Sequence, residues 1–287
     1  VSNDEMSAEW AAKADAWVRN ERIYDAAFAP FTEAVLAAAD IRPGLRVLDV
    51  GCGAGTLLEA LTTAGAQPVG VDISPEMTDA ARRRAPEATV LQADAQSCDL
   101  LAEAPGPPFD RVISRFGVMF FADPVAAFAN LRAATAPGGR LAFVCWRAGE
   151  KDLFWHGVRA IARRMDTPPA QPADDAPGPM GLARDERIHD VLTGAGWSEP
   201  SVEPLDGIAD YSLDGGDGVE ERLSVALAGR VAQAARRELE PRLGEAGWSA
   251  LLEDARAELR SRLVDGVVKL TARAWLVTAV NAADRSL

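Results

Sequence analysis

The chain has 287 residues and a formal net charge of −13, with 48% of its residues apolar and 25% charged. An acidic surplus of that size repels polyanions, so nucleic acid is not expected as a partner, and arginine groups such as Arg82-Arg83-Arg84 and Arg236-Arg237 read as solvated helix faces. No apolar run approaches the roughly 20 residues needed to span a bilayer. The acidic start lacks the basic and apolar regions of an export signal. Cys52, Cys98 and Cys145 lie far from one another and from His156 and His189, so no metal site is expected and the thiols read as reduced. These readings point to a cytoplasmic chain with no membrane partner.

In chain order, the first segment reads as a helical cap over residues 1–42. Trp10, Ala14, Trp17 and Val18 recur at helical spacing, and Ile23, Ala27, Phe31 and Val35 continue the pattern. Pro30 is predicted to break or kink it, and Pro43-Gly44 closes it. An alternating stretch follows. Strands are predicted at 45–50, 68–72, 89–92, 110–114 and 140–146, with helices at about 54–64 and 74–85 and another opening at Asp123-Pro124. Short apolar strands alternating with helices imply a parallel sheet covered on both faces. Beyond Trp146 a helix is predicted over 152–165, then a proline-rich loop over 167–179, a helix at 184–193 and a strand at 201–205. A helical insertion over 217–263 precedes a final strand at 269–280. The whole reads as one domain over 1–287. Its cofactor-binding core is 43–146, and the insertions at 147–183 and 217–263 serve as lid or cap.

The segment Val47-Leu-Asp-Val-Gly-Cys-Gly-Ala-Gly55 places glycines at 51, 53 and 55 between a strand and a helix. They allow a sharp turn and close approach of a ligand to the backbone, and the helix start offers free amides to an anionic group. The dinucleotide-binding fingerprint would need a further glycine at position 56, where Thr56 stands. That miss weakens a nicotinamide-linked oxidoreductase, which stays a less favoured alternative.

Asp49-Val-Gly-Cys-Gly-Ala-Gly55 resembles motif I of the class I S-adenosylmethionine-dependent methyltransferases. Three more pieces follow in family order: Asp72 at the end of the second strand, Gln92-Ala-Asp94-Ala95 after the third, and Phe109-Asp110-Arg-Val-Ile-Ser114 as the fourth. Ala136-Pro-Gly-Gly-Arg140 resembles the family's turn into the fifth strand. The chain is thus similar to the small-molecule, type 11/25-like members. The resemblance implies a Rossmann-like, doubly wound sheet of seven mostly parallel strands with an antiparallel last strand. It also implies S-adenosylmethionine as cofactor and S-adenosylhomocysteine as product. On that basis Asp49, Gly51, Gly53, Gly55, Asp72, Ile73, Met77, Asp94, Ala95, Arg115 and Trp17 are the expected cofactor contacts, with Asp72 on the ribose and Asp94 on the adenine amine.

Substrate contacts are expected from whatever covers the carboxyl edge of the sheet: Tyr24, Phe116, Met119, Phe120, Phe154 and Trp155. An aromatic cavity of this kind suits a hydrophobic or aromatic metabolite methylated on O, N or C. His156 is the candidate base, although on a helix over 152–165 it shares a face with Arg159 and Arg163, which predicts a solvated side chain; His189 reads as surface. Ser114-Arg115-Phe116-Gly117 stands where amine methylases of nucleobases carry a Pro-Pro-aromatic sequence, which again points away from nucleic acid. A protein of this fold that binds the cofactor without transferring methyl is the second alternative. The sequence leaves monomer and homodimer equally open.

Overall fold

The computed structural model describes residues 14–149, 152–169, 173 and 175–282. Its centre is a seven-stranded sheet in the order β3-β2-β1-β4-β5-β7-β6, built from β1 (Arg46–Val50), β2 (Gln67–Asp72), β3 (Thr89–Gln92), β4 (Phe109–Arg115), β5 (Thr135–Trp146), β6 (Ser198–Asp210) and β7 (Lys269–Val280). The first five strands pair in parallel, with Leu48 opposite both Val69 of β2 and Val112 of β4. β7 alone runs opposite to the other six strands, as the family resemblance implies. The central strands are apolar along their length because helices cover both faces of the sheet; β1 is buried at all five positions.

The chain moves outward from β1 to β3, then returns to place β4 on the other side of β1. Strand order therefore reverses between β1 and β4, and the crevice beyond their carboxyl ends is where an open sheet of this kind takes a ligand.

Residues 14–19 are helical, and α1 (Glu21–Ala27) and α2 (Ala29–Ala38) complete the amino-terminal cap. The predicted break lies at Phe28, one residue before α2 begins, and Pro30 sits in the first turn of α2. Proline is tolerated there because its missing N–H would have no partner in any case. Around the core the chain forms α3 (Thr56–Thr63), α4 (Pro75–Arg84), the short α5 (Leu100–Glu103) and α6 (Pro124–Ala133).

The predicted continuous helix over 152–165 is two short pieces, α7 (Asp152–Trp155) and α8 (Arg159–Ala162). They are separated by Gly157 in the left-handed region at φ +85°. Strands β5 and β6 begin earlier than predicted. After α9 (Asp185–Gly194) and β6, the second insertion is α10 (Val219–Ala228) and α11 (Arg230–Arg260), the latter kinked at Gly244.

The β6–β7 hairpin outgrows the sheet. Ala274 pairs with both Trp146 of β5 and Leu205 of β6, yet β6 continues five residues further to Asp210, about 17 Å at strand rise. That extension passes over the cap: a Cβ at Gly207 would lie 2.8 Å from the Phe31 ring. The cap, the hairpin and α10 together roof the carboxyl edge.

Candidate active site

The glycine loop leaves β1 at Val50 and is pinned to β2 by the N–H groups of Gly51 and Cys52, which both donate to the Val71 carbonyl at 2.9 and 3.1 Å. Gly51 meets the loop after β4 so closely that a Cβ there would fall 2.8 Å from the Gly117 Cα. Gly53 differs. Its φ is +53°, and a Cβ built on it would meet nothing within 4 Å. It is a backbone position open on the side a ligand would approach. Gly55 caps α3 from the left-handed region.

Asp72 holds this loop in place. Its Oδ2 accepts from the Gly53 N–H at 2.9 Å and its Oδ1 accepts from the Ser74 N–H at 2.9 Å. Burial raises its carboxyl above the ordinary range, against the lowering effect of the Ser74, Gly53 and Ile73 amides. Ile73 is half-buried, and Met77 is buried on α4, its N–H donating to the capping Ser74 Oγ. Ala93 N–H donates to the Asp72 carbonyl at 3.0 Å, which brings the end of β3 beside the end of β2. There Asp94 accepts from the Gln96 N–H at 2.9 Å and the Ser97 hydroxyl at 3.1 Å, while buried Ala95 accepts from Asn130 at 2.9 Å.

Asp49 is the anomaly of the site. It is 1% exposed, and neither carboxylate oxygen has a hydrogen-bond partner. Burial pushes its carboxyl up to about 7, with the Arg115 guanidinium pulling it down and Asp72 pushing it further up. A buried carboxylate left in this state is costly unless something completes it. An ammonium group beside the glycine loop would do so, and the amino-acid end of S-adenosylmethionine carries one. The pieces present therefore fit that cofactor: an orphaned anion, an open glycine backbone and two further strand-end carboxylates.

Arg115 faces the cap. Its Nη1 donates to the Thr32 hydroxyl at 2.8 Å and its Nη2 to the Thr56 hydroxyl at 3.2 Å. Thr56 in turn donates to Asp25 Oδ1 at 2.6 Å, and Asp25 pairs with Arg84 at 2.6 Å. This network locks α1 onto the first turn of α3. Sequence reasoning missed Asp25, Thr32, Thr56 and Arg84 as a group. Thr56 showed only as a missing glycine, and no spacing rule links residues this far apart in the chain.

The aromatic candidates divide. Phe116, strained at φ +62°, stacks on Trp146 at 3.9 Å, and Phe28 meets both edge-on at 5.4 and 5.5 Å. Tyr24 continues the line, 5.7 Å from Phe28 and stacked on Trp17 at 3.9 Å. These rings form a wall above the ends of β4 and β5. Met119 is buried on the 3-10 turn Val118–Phe120, and its carbonyl accepts from the Gly178 N–H at 3.1 Å; Phe120 is half-buried there. Trp155 packs with Val158, Ala226 and Ala232 in a small separate cluster within the insertions. The side chain of Phe154, like Trp10, lies outside the described residues.

His156 is buried at 8% exposure rather than solvated, with Nε2 3.4 Å from Arg262 Nη1. The break at Gly157 removes the helical face on which solvation was predicted. His189 is exposed, as expected. Among the described residues no group of three or more His, Cys, Asp or Glu could hold a metal ion, and no helix is long and apolar enough to cross a membrane.

Residues 47–139 match the family model described as a methyltransferase domain. An uncharacterised protein of Mycobacterium tuberculosis is 36% identical over 119 residues, 41% of this chain and 43% of that one. The ubiquinone biosynthesis O-methyltransferase of Xanthomonas campestris is 42% identical over 109 residues, 37% of this chain and 45% of that one. The matched region thus spans less than half the length of these curated relatives. Among solved structures, phosphoethanolamine N-methyltransferase 2 of Haemonchus contortus superposes with a TM-score of 0.50 at 19% identity, over 92% of this chain and 57% of that one, a likeness of fold. With the strand order and the glycine loop, these findings show that residues 47–139 carry a methyltransferase domain on a Rossmann-like sheet.

Proposed function

We propose that the chain transfers the methyl group of S-adenosylmethionine to an O, N or C atom of a small, aromatic or hydrophobic metabolite by in-line displacement. The observation that carries the reading is Asp49, a buried carboxylate with both oxygens unpartnered beside the open backbone of Gly53. The cofactor, when bound, supplies a sulfonium-activated methyl group. Asp49 would hold its ammonium, Asp72 its ribose hydroxyls and Asp94 its adenine amine, while Gly53 lets the backbone come close.

The remaining task of the protein is to orient the acceptor and exclude water. The wall of Trp17, Tyr24, Phe28, Phe116 and Trp146 suits both, since a flat ring packing against aromatic side chains sheds water on doing so. The name of the Xanthomonas relative, a quinone-pathway O-methyltransferase, favours an aromatic acceptor. A nicotinamide role is disfavoured because Thr56, where that fingerprint needs glycine, is committed to Asp25.

The test is a screen of aromatic acceptors with methyl-labelled S-adenosylmethionine, run beside Asp49→Asn. Labelled product from the wild type and at least tenfold less from the variant is expected. Cofactor binding with no transfer to any acceptor would leave a binding protein of the same fold.

A further inference from the structure

We propose that Arg222 and Tyr211, where α10 meets the cap, receive a carboxylate, so that the methyl acceptor is a small aromatic acid. This rests on the methyl-transfer reading above and adds the acceptor's charge to it.

Arg222 is 2% exposed on α10. Its Nη2 donates to the Leu153 carbonyl at 2.5 Å, its Nε is buried without a partner, and its guanidinium carbon lies 5.5 Å from the centre of the Tyr211 ring. No carboxylate pairs with it among the described residues, although the chain carries 43 Asp and Glu. Arginines buried for structural reasons in proteins are ordinarily neutralised by an acid; one that is not is either costly or awaiting an anion.

The Tyr211 ring lies under the guanidinium. Tyr211 is 2% and Tyr24 7% exposed. Burial raises both phenols above their ordinary range, and Arg222 only partly opposes this. Both therefore stay O–H donors at neutral pH. A guanidinium and a phenol hydroxyl offer donors and one positive charge. Their complement is an acceptor with one negative charge, which a carboxylate matches and a phosphate dianion exceeds.

The fold builds this cluster deliberately tight. Tyr211 follows the end of β6, its N–H donating to the Val268 carbonyl at 3.0 Å, and a Cβ on Gly218 would lie 2.7 Å from the Tyr211 carbonyl carbon. Glycine at 218 thus lets α10 start against Tyr211 and delivers Arg222 one turn later. The cap that carries Tyr24 is fastened to this roof by Ser224 donating to Asn20 Oδ1 at 2.7 Å and by Arg22 with Asp214 at 2.9 Å. From Tyr24 the ring wall runs through Phe28 to Phe116 beside the glycine loop.

The experiment is thermal unfolding of the full chain with sodium benzoate or benzamide, at matched ionic strength, in the presence of saturating S-adenosylhomocysteine. The S-adenosylhomocysteine arm is read first and alone: absence of a stabilising shift there would overturn the methyl-transfer reading itself. In the loaded protein, benzoate should raise the melting temperature saturably, with half-saturation at least fivefold below that of benzamide. Arg222→Met should keep the S-adenosylhomocysteine shift and lose the benzoate shift. Tyr211→Phe, which keeps the ring and its packing, should weaken the benzoate response severalfold, so the proposal stays testable even where Arg222→Met does not fold. A benzoate shift absent from the wild type, equal to that of benzamide, or retained undiminished by Tyr211→Phe or by a folded Arg222→Met overturns it.

Discussion

Asp49 joins stability and binding in one side chain. Its folded-state carboxyl titrates at about 7 against an ordinary 3.8, so the folded protein binds the proton more tightly than the unfolded chain does. Below about pH 4 both states hold the proton and no penalty arises. The penalty grows as pH rises between those values and is full above pH 7, on the order of 4 kcal/mol. Asp49→Asn should accordingly melt several degrees higher than the wild type at pH 8 without cofactor, and show no such gain at pH 4. It should also bind S-adenosylmethionine at least tenfold more weakly. A variant both more stable and weaker in binding identifies a site residue; equal binding would return Asp49 to the core.

Two glycines allow a matched contrast. Gly53→Ala meets no atom within 4 Å and bears only its φ of +53°, so it should lose about 1 kcal/mol of stability but most of its cofactor affinity. Gly51→Ala, 2.8 Å from the Gly117 Cα, should be far less stable by denaturant titration. Asp72 goes beyond its sequence-based reading as a ribose ligand, since it also holds the Gly53 and Ser74 amides. Asp72→Ala should weaken cofactor binding about a hundredfold or more, at roughly 1.5–3 kcal/mol per charge-assisted bond lost, and should loosen the loop as well.

At the scale of elements, the clamp between cap and core is the feature with most consequence. Asp25 draws together Thr56, Arg84 and Arg115 across α1, α3, α4 and β4. Arg115 is nearly buried, so removing the acid leaves its charge opposed by Asp49 alone. Asp25→Ala should destabilise by about 3 kcal/mol and raise amide exchange selectively over residues 21–38. Uniform exchange would show that the cap is held by its apolar face alone.

Legibility in the sequence also divided by element. The β1 to β5 alternation was readable because apolar runs and glycine stops are local signals. The 152–165 segment was not. Phe154, Val158, Ile161 and Met165 keep helical period, but Gly157 breaks the helix where it packs against Ala226 and Leu259, and His156 is buried beside the break. His156→Ala should therefore lower stability and leave the pH–rate profile unchanged. Arg222 and Tyr211 were illegible for a related reason: their meaning lies in an absent counter-ion, which only three-dimensional packing reveals.

At the scale of the molecule, strand order sets the site and the outgrown β6–β7 hairpin shapes what enters it. The reversal between β1 and β4 brings Gly51 and Gly117 together at the carboxyl edge, and the sequence motifs were sufficient to place that edge. The roof made by the cap, Tyr211 and α10 was foreseen as a helical cap and lid insertions, but not in its contacts, since these join residues about 200 positions apart, as between Asn20 and Ser224. The net charge of −13 leaves polyanions repelled at long range, while the buried Arg222 offers a single cation to a small acid that has shed its water.

The most direct test is calorimetric titration of the full chain with S-adenosylmethionine, S-adenosylhomocysteine and NAD, at pH 6.5 in buffers of different ionisation enthalpy. The account predicts tight binding of the first two, no binding of NAD, and release of a proton as the cofactor ammonium meets Asp49, with affinity rising as pH increases toward 7. Binding of NAD alone, or cofactor binding with no proton released, would contradict it.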